Sequence, residues 1–165
     1  SIVHRNSKKI YWWNCPHGHS WLAKVSERTV DKIPCTKCEE EFLQNLPQLL
    51  ILLYARQNRL RVVFGTDALV GIPIDILIPE LMLAIDYLPD KKMMTNAQKV
   101  KDHVLKSRGY EYVLFQAEKT AEGITEQIRA LFRRQHIYID SDAASDIRIC
   151  RKQFEILRRN EEDEG

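Results

Sequence analysis

Residues 15–38 read CPHGHSWLAKVSERTVDKIPCTKC, and this segment determines the fold of the amino-terminal part of the chain. It holds two pairs of metal-binding residues, Cys15 with His19 and Cys35 with Cys38, with fifteen residues between the pairs. Zinc prefers four thiolate or imidazole ligands in a tetrahedron, and a C-x2-C turn lets two thiolates bind one ion. The spacing therefore predicts a structural zinc site that contributes folding free energy to a small module, a zinc ribbon.

His17 is a competing ligand, because it also lies close to Cys15. We favour His19, since Gly18 relaxes the turn before it and a strand follows. The fourth cysteine, Cys150, is far from this cluster and is expected to pack in the last helix as a small apolar residue. Three clustered cysteines and one distant one form a poor disulfide pattern and a good metal pattern, which favours a reducing, cytoplasmic location.

The composition predicts a folded chain of two modules. Its 165 residues are 44% hydrophobic and 29% charged, which is enough apolar material for a core. We expect a zinc ribbon over residues 1–41 and an α/β domain over residues 42–165, with an acidic tail. No apolar run approaches the ~20 residues that a membrane span needs, and no secretory leader is seen, so a soluble protein is expected.

Charge is unevenly distributed along the chain. The net charge is only +2, which by itself does not indicate a nucleic-acid-binding protein, but basic residues predominate in the amino-terminal module. Interleaved with tryptophans, they could bind phosphates while the rings stack on bases, although the rings are more simply explained as the core of the module. Four residues are predicted to contact nucleic acid: Lys8, Lys9, Lys24 and Arg28.

Periodicity predicts a hairpin followed by a mixed α/β pattern. The helix that starts near residue 39 should hold Pro47 in its first turn. The three strands after it should form a meander, and Gly109 should end the next helix. The predicted order is hairpin 10–25, helix 39–53, strands 61–64, 72–78 and 81–87, helix 95–108, strand 110–116, helix 122–134, strand 136–140 and helix 143–160.

Two predicted strands each contain one aspartate among β-forming residues, Asp75 and Asp86. A carboxylate in a buried strand requires a physical reason. If the two strands form a hairpin around residues 79–80, the carboxylates approach one another and could bind a hard divalent cation through oxygen. Magnesium at such a site would activate water and stabilise charge at a phosphodiester.

Four short segments resemble the "probable zinc-ribbon" family of bacterial proteins: residues 12–15, 18–21, 28–29 and 35–38. The resemblance covers about residues 4–40. Members of that family often carry the ribbon in repeats or joined to a nuclease-like domain. The resemblance therefore implies a prokaryotic protein that works with nucleic acid.

A second resemblance covers roughly residues 42–140. Residues 71–76, 83–87 and 108–110, and the order of the predicted elements, are similar to the PD-(D/E)xK nuclease superfamily, particularly relatives of very-short-patch repair endonucleases. This resemblance implies a restriction-endonuclease-like mixed sheet flanked by helices. It also implies that Asp75 and Asp86 are catalytic and bind Mg²⁺ or Mn²⁺.

The chain departs from the pattern of that superfamily at two positions. The second acid is usually glutamate, and Leu88 stands where a lysine is expected. Some relatives take the lysine from the following helix, which makes Lys101 the catalytic candidate and Lys99 the second choice. Glu40 or Glu41, on the preceding helix, could add a carboxylate.

Three functions follow from these patterns. The first is a metal-dependent DNA endonuclease with a structural zinc ribbon, which could act as a homodimer because many nucleases of this type cut the two strands as pairs. The second is an inactive protein of the nuclease fold that binds DNA or has a regulatory role. The missing lysine after Asp86 favours this function. The third is a protein-interaction adaptor, favoured by the modest net charge.

Overall fold

The computed structural model describes residues 10–15, 18–24, 35–88 and 94–164. The chain divides into two compact units, an amino-terminal unit of residues 1–45 and a carboxy-terminal unit of residues 46–165. No helix in the described ranges has the length and the apolar character that crossing a membrane requires.

The amino-terminal unit contains the predicted hairpin. Strands β1 (Ile10–Asn14) and β2 (Ser20–Lys24) pair antiparallel. Helix α1 (Thr36–Gln57) begins in this unit and continues into the next. The prediction for Pro47 was wrong, because the helix begins near residue 36 and the proline lies well inside it. A proline there has no N–H to donate, so the helix lacks one internal hydrogen bond.

The carboxy-terminal unit is built on a four-stranded sheet in the order β3-β4-β5-β6. The first three strands form the predicted antiparallel meander, and β6 lies parallel to β5 after a helical crossover. The four strands are β3 (Val63–Thr66), β4 (Ile74–Ile78), β5 (Leu83–Tyr87) and β6 (Glu111–Phe115).

Three more helices complete this unit: α2 (Asn96–Ser107), α3 (Ala121–Arg134) and α4 (Ala143–Glu164). Thr95 caps α2, accepting from the backbone N–H of Gln98 while the Gln98 side chain accepts from Thr95. Gly109 follows with φ of 83°, a left-handed conformation that glycine adopts without strain, as predicted for a helix end.

One predicted strand is absent from the structure. Residues 136–140 contain no strand, because the chain reverses as soon as α3 ends. His136 has φ of 61°, and the backbone N–H of Ile137 donates to the carbonyl of Phe132 at 2.9 Å. The β-forming character of these residues is overridden by this helix-terminal turn.

A buried polar network joins α1, α3 and α4 in the carboxy-terminal unit. Asp146 is 1% exposed, and its Oδ2 accepts from the hydroxyl of Tyr54 at 2.9 Å and from the guanidinium of Arg129 at 2.8 Å. The hydroxyl of Ser141 donates to the same oxygen at 2.8 Å. Burial is the main cause that raises the pKa of Tyr54, so its hydroxyl stays a donor.

Asp146→Ala is expected to destabilise the carboxy-terminal unit by about 3–5 kcal/mol, because Arg129 is left as a buried charge without its carboxylate. Urea unfolding followed by circular dichroism measures this change. Asp140→Ala is the matched control, since Asp140 is exposed and precedes the same helix. Equal midpoints for the two variants would show that the network does not stabilise the fold.

Candidate functional site

The structure brings together the four residues of the predicted zinc site. One ligand atom from each of Cys15, His19, Cys35 and Cys38 lies within 4.8 Å of the others. Zinc–sulfur and zinc–nitrogen bonds of about 2.3 and 2.0 Å imply ligand separations of roughly 3.5–3.8 Å around a tetrahedron. The Nδ1 of His19 is 3.6 Å from the Sγ of Cys35 and 3.3 Å from that of Cys38. Three sulfurs and one imidazole at this spacing fit a structural zinc ion.

Local backbone geometry places each pair of ligands. In the hairpin turn the N–H of Gly18 donates to the carbonyl of Cys15 at 3.0 Å, and φ of 89° at this position requires a glycine. The second pair lies at the start of α1, where the N–H of Glu39 donates to the carbonyl of Cys35 at 3.1 Å.

Glu41 supports the histidine ligand. Its Oε1 lies 2.7 Å from the Nε2 of His19, which leaves Nδ1 facing the three sulfurs. A carboxylate on the outer nitrogen of a metal-binding histidine fixes the tautomer and the ring orientation. The structure thus gives Glu41 a role in the amino-terminal unit, whereas the sequence had offered it as a magnesium ligand. Its position three residues after Cys38, on the same side of a helix, is the signal that could have identified it.

The predicted nucleic-acid contacts lie almost entirely outside the described residues. Lys8, Lys9 and Arg28 belong to the undescribed segments, as does the competing ligand His17. Lys24 ends β2, but only its backbone is described. These contacts therefore remain predictions.

Cys150 is separate from the metal cluster and packs in α4 as predicted. Its side chain is 2% exposed, and burial raises the pKa of the thiol to about 12. A thiol in this environment is a small apolar group and is not a nucleophile at neutral pH.

In the carboxy-terminal unit, the two predicted aspartates meet across the β4–β5 hairpin. The pairing of the two strands ends with Ile76 opposite Ile85, and Asp75 and Asp86 are the next residue of each strand. The Oδ1 of Asp86 accepts from the backbone N–H of Asp75 at 2.8 Å, and the Oδ2 of Asp75 accepts from the backbone N–H of Tyr87 at 2.9 Å. Each carboxylate is therefore fixed by the other strand.

Lys101 extends from α2 to the same carboxylate. Its Nζ is 2.7 Å from the Oδ2 of Asp86, and the side chains of the two residues are 10% and 3% exposed. Lys99, the second choice, lies exposed on the same helix, whereas Lys101 contacts Asp86. Three residues spread over 27 positions of sequence thus form one cluster.

Tyr112 is the fourth member of the cluster, and no sequence pattern predicted it. Its hydroxyl donates to the Oδ2 of Asp86 at 2.6 Å. The parallel register places Tyr112 beside Ala84 and Leu114 beside Asp86, so Tyr112 and Asp86 share a face of the sheet. Only this register, which the sequence does not encode locally, connects the two residues.

The electrostatics of the cluster favour an ionised Asp86. Burial alone would raise the pKa of Asp86, but three hydrogen bonds outweigh burial and lower it: those from the Asp75 N–H, Lys101 and Tyr112. A carboxylate with a lowered pKa stabilises the fold at neutral pH, and this contribution is lost only as the pH falls through that lowered value. The pKa of Tyr112 is raised, first by burial and then by its bond to Asp86, so Tyr112 remains a donor.

The cluster offers oxygen ligands of the kind that a hard cation prefers. Asp75 is exposed, and within the described part of the chain its Oδ1 accepts no hydrogen bond. Asp86 is 2% exposed, and both of its oxygens already accept hydrogen bonds. Asp75 is therefore the carboxylate of the pair that is open to a cation, whereas the oxygens of Asp86 are already occupied by hydrogen-bond donors.

Comparison with known proteins identifies only the amino-terminal segment. Residues 1–41 match the model of a family described as "Probable Treble clef zinc finger domain". No curated protein and no solved structure matches the chain. The match and the Cys/His cluster together support a metal-binding zinc finger at this end of the chain. The matched family is described as a treble clef finger, whereas the sequence predicted a ribbon, and in this chain Cys35 and Cys38 lie at the start of a helix.

Proposed function

We propose that this protein is a metal-dependent DNA endonuclease of the PD-(D/E)xK type with an amino-terminal finger that binds zinc through Cys15, His19, Cys35 and Cys38. The observation that carries the proposal is that the carboxylate of Asp86 accepts hydrogen bonds both from the backbone N–H of Asp75 and from the Nζ of Lys101, the three residues that the resemblance implicates in catalysis. The order of elements in the carboxy-terminal unit supports it: helix, three strands, helix and strand. Such an order alone indicates a fold, so the proposal depends on the cluster.

Each member of the cluster has a distinct role in this proposal. Asp75 faces solvent and would hold a divalent cation together with Asp86. A bound Mg²⁺ would supply Lewis acidity toward the scissile phosphate and lower the pKa of a bound water. Lys101, held by Asp86, is placed to orient water or to stabilise the developing negative charge. Tyr112 is a positioning residue, because its hydroxyl fixes the carboxylate that holds Lys101.

The zinc finger would position the DNA in this proposal. Lys8, Lys9, Lys24 and Arg28 would contact phosphates, which place a protein on a duplex without reading its sequence. Zinc would be structural, since four protein ligands leave no open coordination position. Three thiols that must stay reduced to bind zinc favour the cytoplasm, and the family resemblance favours a prokaryotic cell.

A second candidate is a DNA-binding or regulatory protein that has the nuclease fold without the chemistry. The observation that favours it is that Asp86 is 2% exposed and its carboxylate already accepts three hydrogen bonds. In this reading Asp86 and Lys101 form a structural ion pair that joins α2 to the sheet. Leu88, at the position where the superfamily places its lysine, agrees with this alternative.

Incubation of supercoiled plasmid with the zinc-loaded chain and Mg²⁺ or Mn²⁺ tests the proposal. The expected result is conversion to nicked or linear DNA that EDTA prevents. Intact plasmid with gel shifts that weaken as salt rises would support the binding protein instead. If the plasmid is neither cleaved nor shifted in a salt-dependent way, both proposals are overturned and a protein-interaction adaptor is favoured.

A further inference from the structure

Helix α4 has a second apolar face, in addition to the one that packs into its own unit. Its buried residues include Ile147, Cys150 and Phe154. On other positions of the same helix, Ile149, Ile156 and Leu157 are 49%, 50% and 43% exposed. Single apolar side chains at a protein surface are common, but three large ones within nine residues of one helix form a patch that requires an explanation.

The exposed side chains continue into a groove between α1 and α4. Leu49, Leu52 and Leu53 line it from α1, and Ile149 and Leu157 line it from α4. The groove has a volume of about 170 Å³ and lies entirely within the carboxy-terminal unit. Together the groove and the exposed stripe form a continuous apolar surface, which we call the α4 surface.

The carboxyl end of α4 carries charge of the sign that an isolated helix disfavours there. A helix favours acids at its amino end and bases at its carboxyl end. The last turn of α4 contains no base, and residues 161–164 read Glu-Glu-Asp-Glu. Arg148, Arg151 and Lys152 lie in its first half, and the only acid of its first turn, Asp146, is already paired with Arg129. Acids at the carboxyl end of a helix are unfavourable, and a basic neighbour would offset this cost.

We propose that a second copy of this chain covers the α4 surface, with the two α4 helices antiparallel about a two-fold axis. In that arrangement the acidic end of each helix lies beside the basic half of the other, and the opposed helix dipoles attract. A two-fold contact requires one surface that is complementary to itself, and α4 combines an apolar centre with ends of opposite charge. The charge pattern favours a second α4 over an unrelated partner. When two copies of the helix run antiparallel, the basic first half of one lies beside the acidic end of the other.

The mass of the zinc-loaded chain in solution, measured by light scattering during gel filtration, tests this interface. The expected mass is twice the 19.4 kDa of one chain. Ile156→Lys is expected to give the mass of one chain, because it places a charge at the centre of the contact. Val100→Lys is the matched control, since Val100 is 48% exposed on α2 and should leave the dimer intact. A wild-type monomer at ~100 μM, where a micromolar contact would be occupied, overturns the proposal, as does an Ile156→Lys dimer.

Charge reversal separates the antiparallel pair from other modes of self-association. Arg148→Glu with Lys152→Glu makes both ends of α4 acidic, and replacement of all four terminal acids, Glu161→Lys, Glu162→Lys, Asp163→Lys and Glu164→Lys, makes both ends basic. Each variant is expected to dimerise at least ~10-fold more weakly than the wild type, because like charges oppose one another. A mixture of the two is expected to restore dimers. If the mixture stays monomeric while each variant keeps its fold by circular dichroism, the proposed pairing of charges is wrong.

Discussion

Asp86→Ala is expected to abolish metal-dependent cleavage and also to destabilise the carboxy-terminal unit by about 3–5 kcal/mol. The loss of stability follows from Lys101, which is 8% exposed and would remain as a buried charge without its carboxylate. The hydroxyl of Tyr112 and the backbone N–H of Asp75 would also lose their acceptor. Loss of activity in this variant alone therefore does not identify a catalytic carboxylate.

The double variant Asp86→Asn with Lys101→Met separates catalysis from stability. It removes both charges of the pair while keeping side chains of similar size, so most of the stability should return. Cleavage should remain absent, because one of the two proposed cation ligands and the residue proposed to orient the water are gone. Urea midpoints and plasmid nicking on the same preparations measure the two effects. A stable double variant that still cleaves DNA would place the catalytic group elsewhere.

Removal of zinc is expected to unfold the amino-terminal unit and to leave the carboxy-terminal unit folded. Structural zinc contributes about 10–16 kcal/mol to small fingers at neutral pH, more than a module of this size gains from its core. The measurement is specific, because Trp12, Trp13 and Trp21 are the only tryptophans of the chain and all belong to the β1–β2 hairpin. A chelator should therefore shift tryptophan emission to the red.

Cysteine variants provide the control for this experiment. Cys38→Ala should show the emission of the chelated protein before any chelator is added, whereas Cys150→Ala should bind zinc normally because Cys150 is buried in α4. Far-UV circular dichroism should keep the signal of the helices in residues 46–165. Emission that does not change when zinc is removed would contradict the four-ligand site.

Most of the fold could be predicted because its elements carry strong local signals. The alternating hairpin, the three strands punctuated by glycine and proline, and the stripe of α2 all appear where the sequence indicates them. The errors arose where context overrides propensity. Pro47 marks a helix start in isolation, but the metal ligands Cys35 and Cys38 already lie at the start of α1. Residues 136–140 favour a strand, yet the turn after α3 determines their path.

The candidate site shows the same division between local and non-local information. Cys15, His19, Cys35 and Cys38 could be predicted because their spacing along the chain reflects the chemistry of one ion. Glu41 carries a local signal as well, because it lies three residues after Cys38 on the same side of α1. The contact of Tyr112 could not be predicted, because it depends on the register of two strands that are distant in sequence. Lys101 was proposed through a resemblance, but helical spacing also distinguishes it from Lys99, because Lys101 lies on the same side of α2 as the buried Leu105 and Lys99 does not.

The most direct test of the endonuclease proposal is plasmid nicking by Asp75→Asn compared with Asp67→Asn. Both residues are exposed and both variants remove one negative charge, so their nonspecific attraction to DNA changes equally. Asp75 makes no ion pair with a buried lysine within the described residues, so its variant should stay folded. We expect Asp67→Asn to nick plasmid like the wild type and Asp75→Asn to lose at least ~100-fold in rate with Mg²⁺. Equal nicking rates for the two variants would contradict the endonuclease proposal.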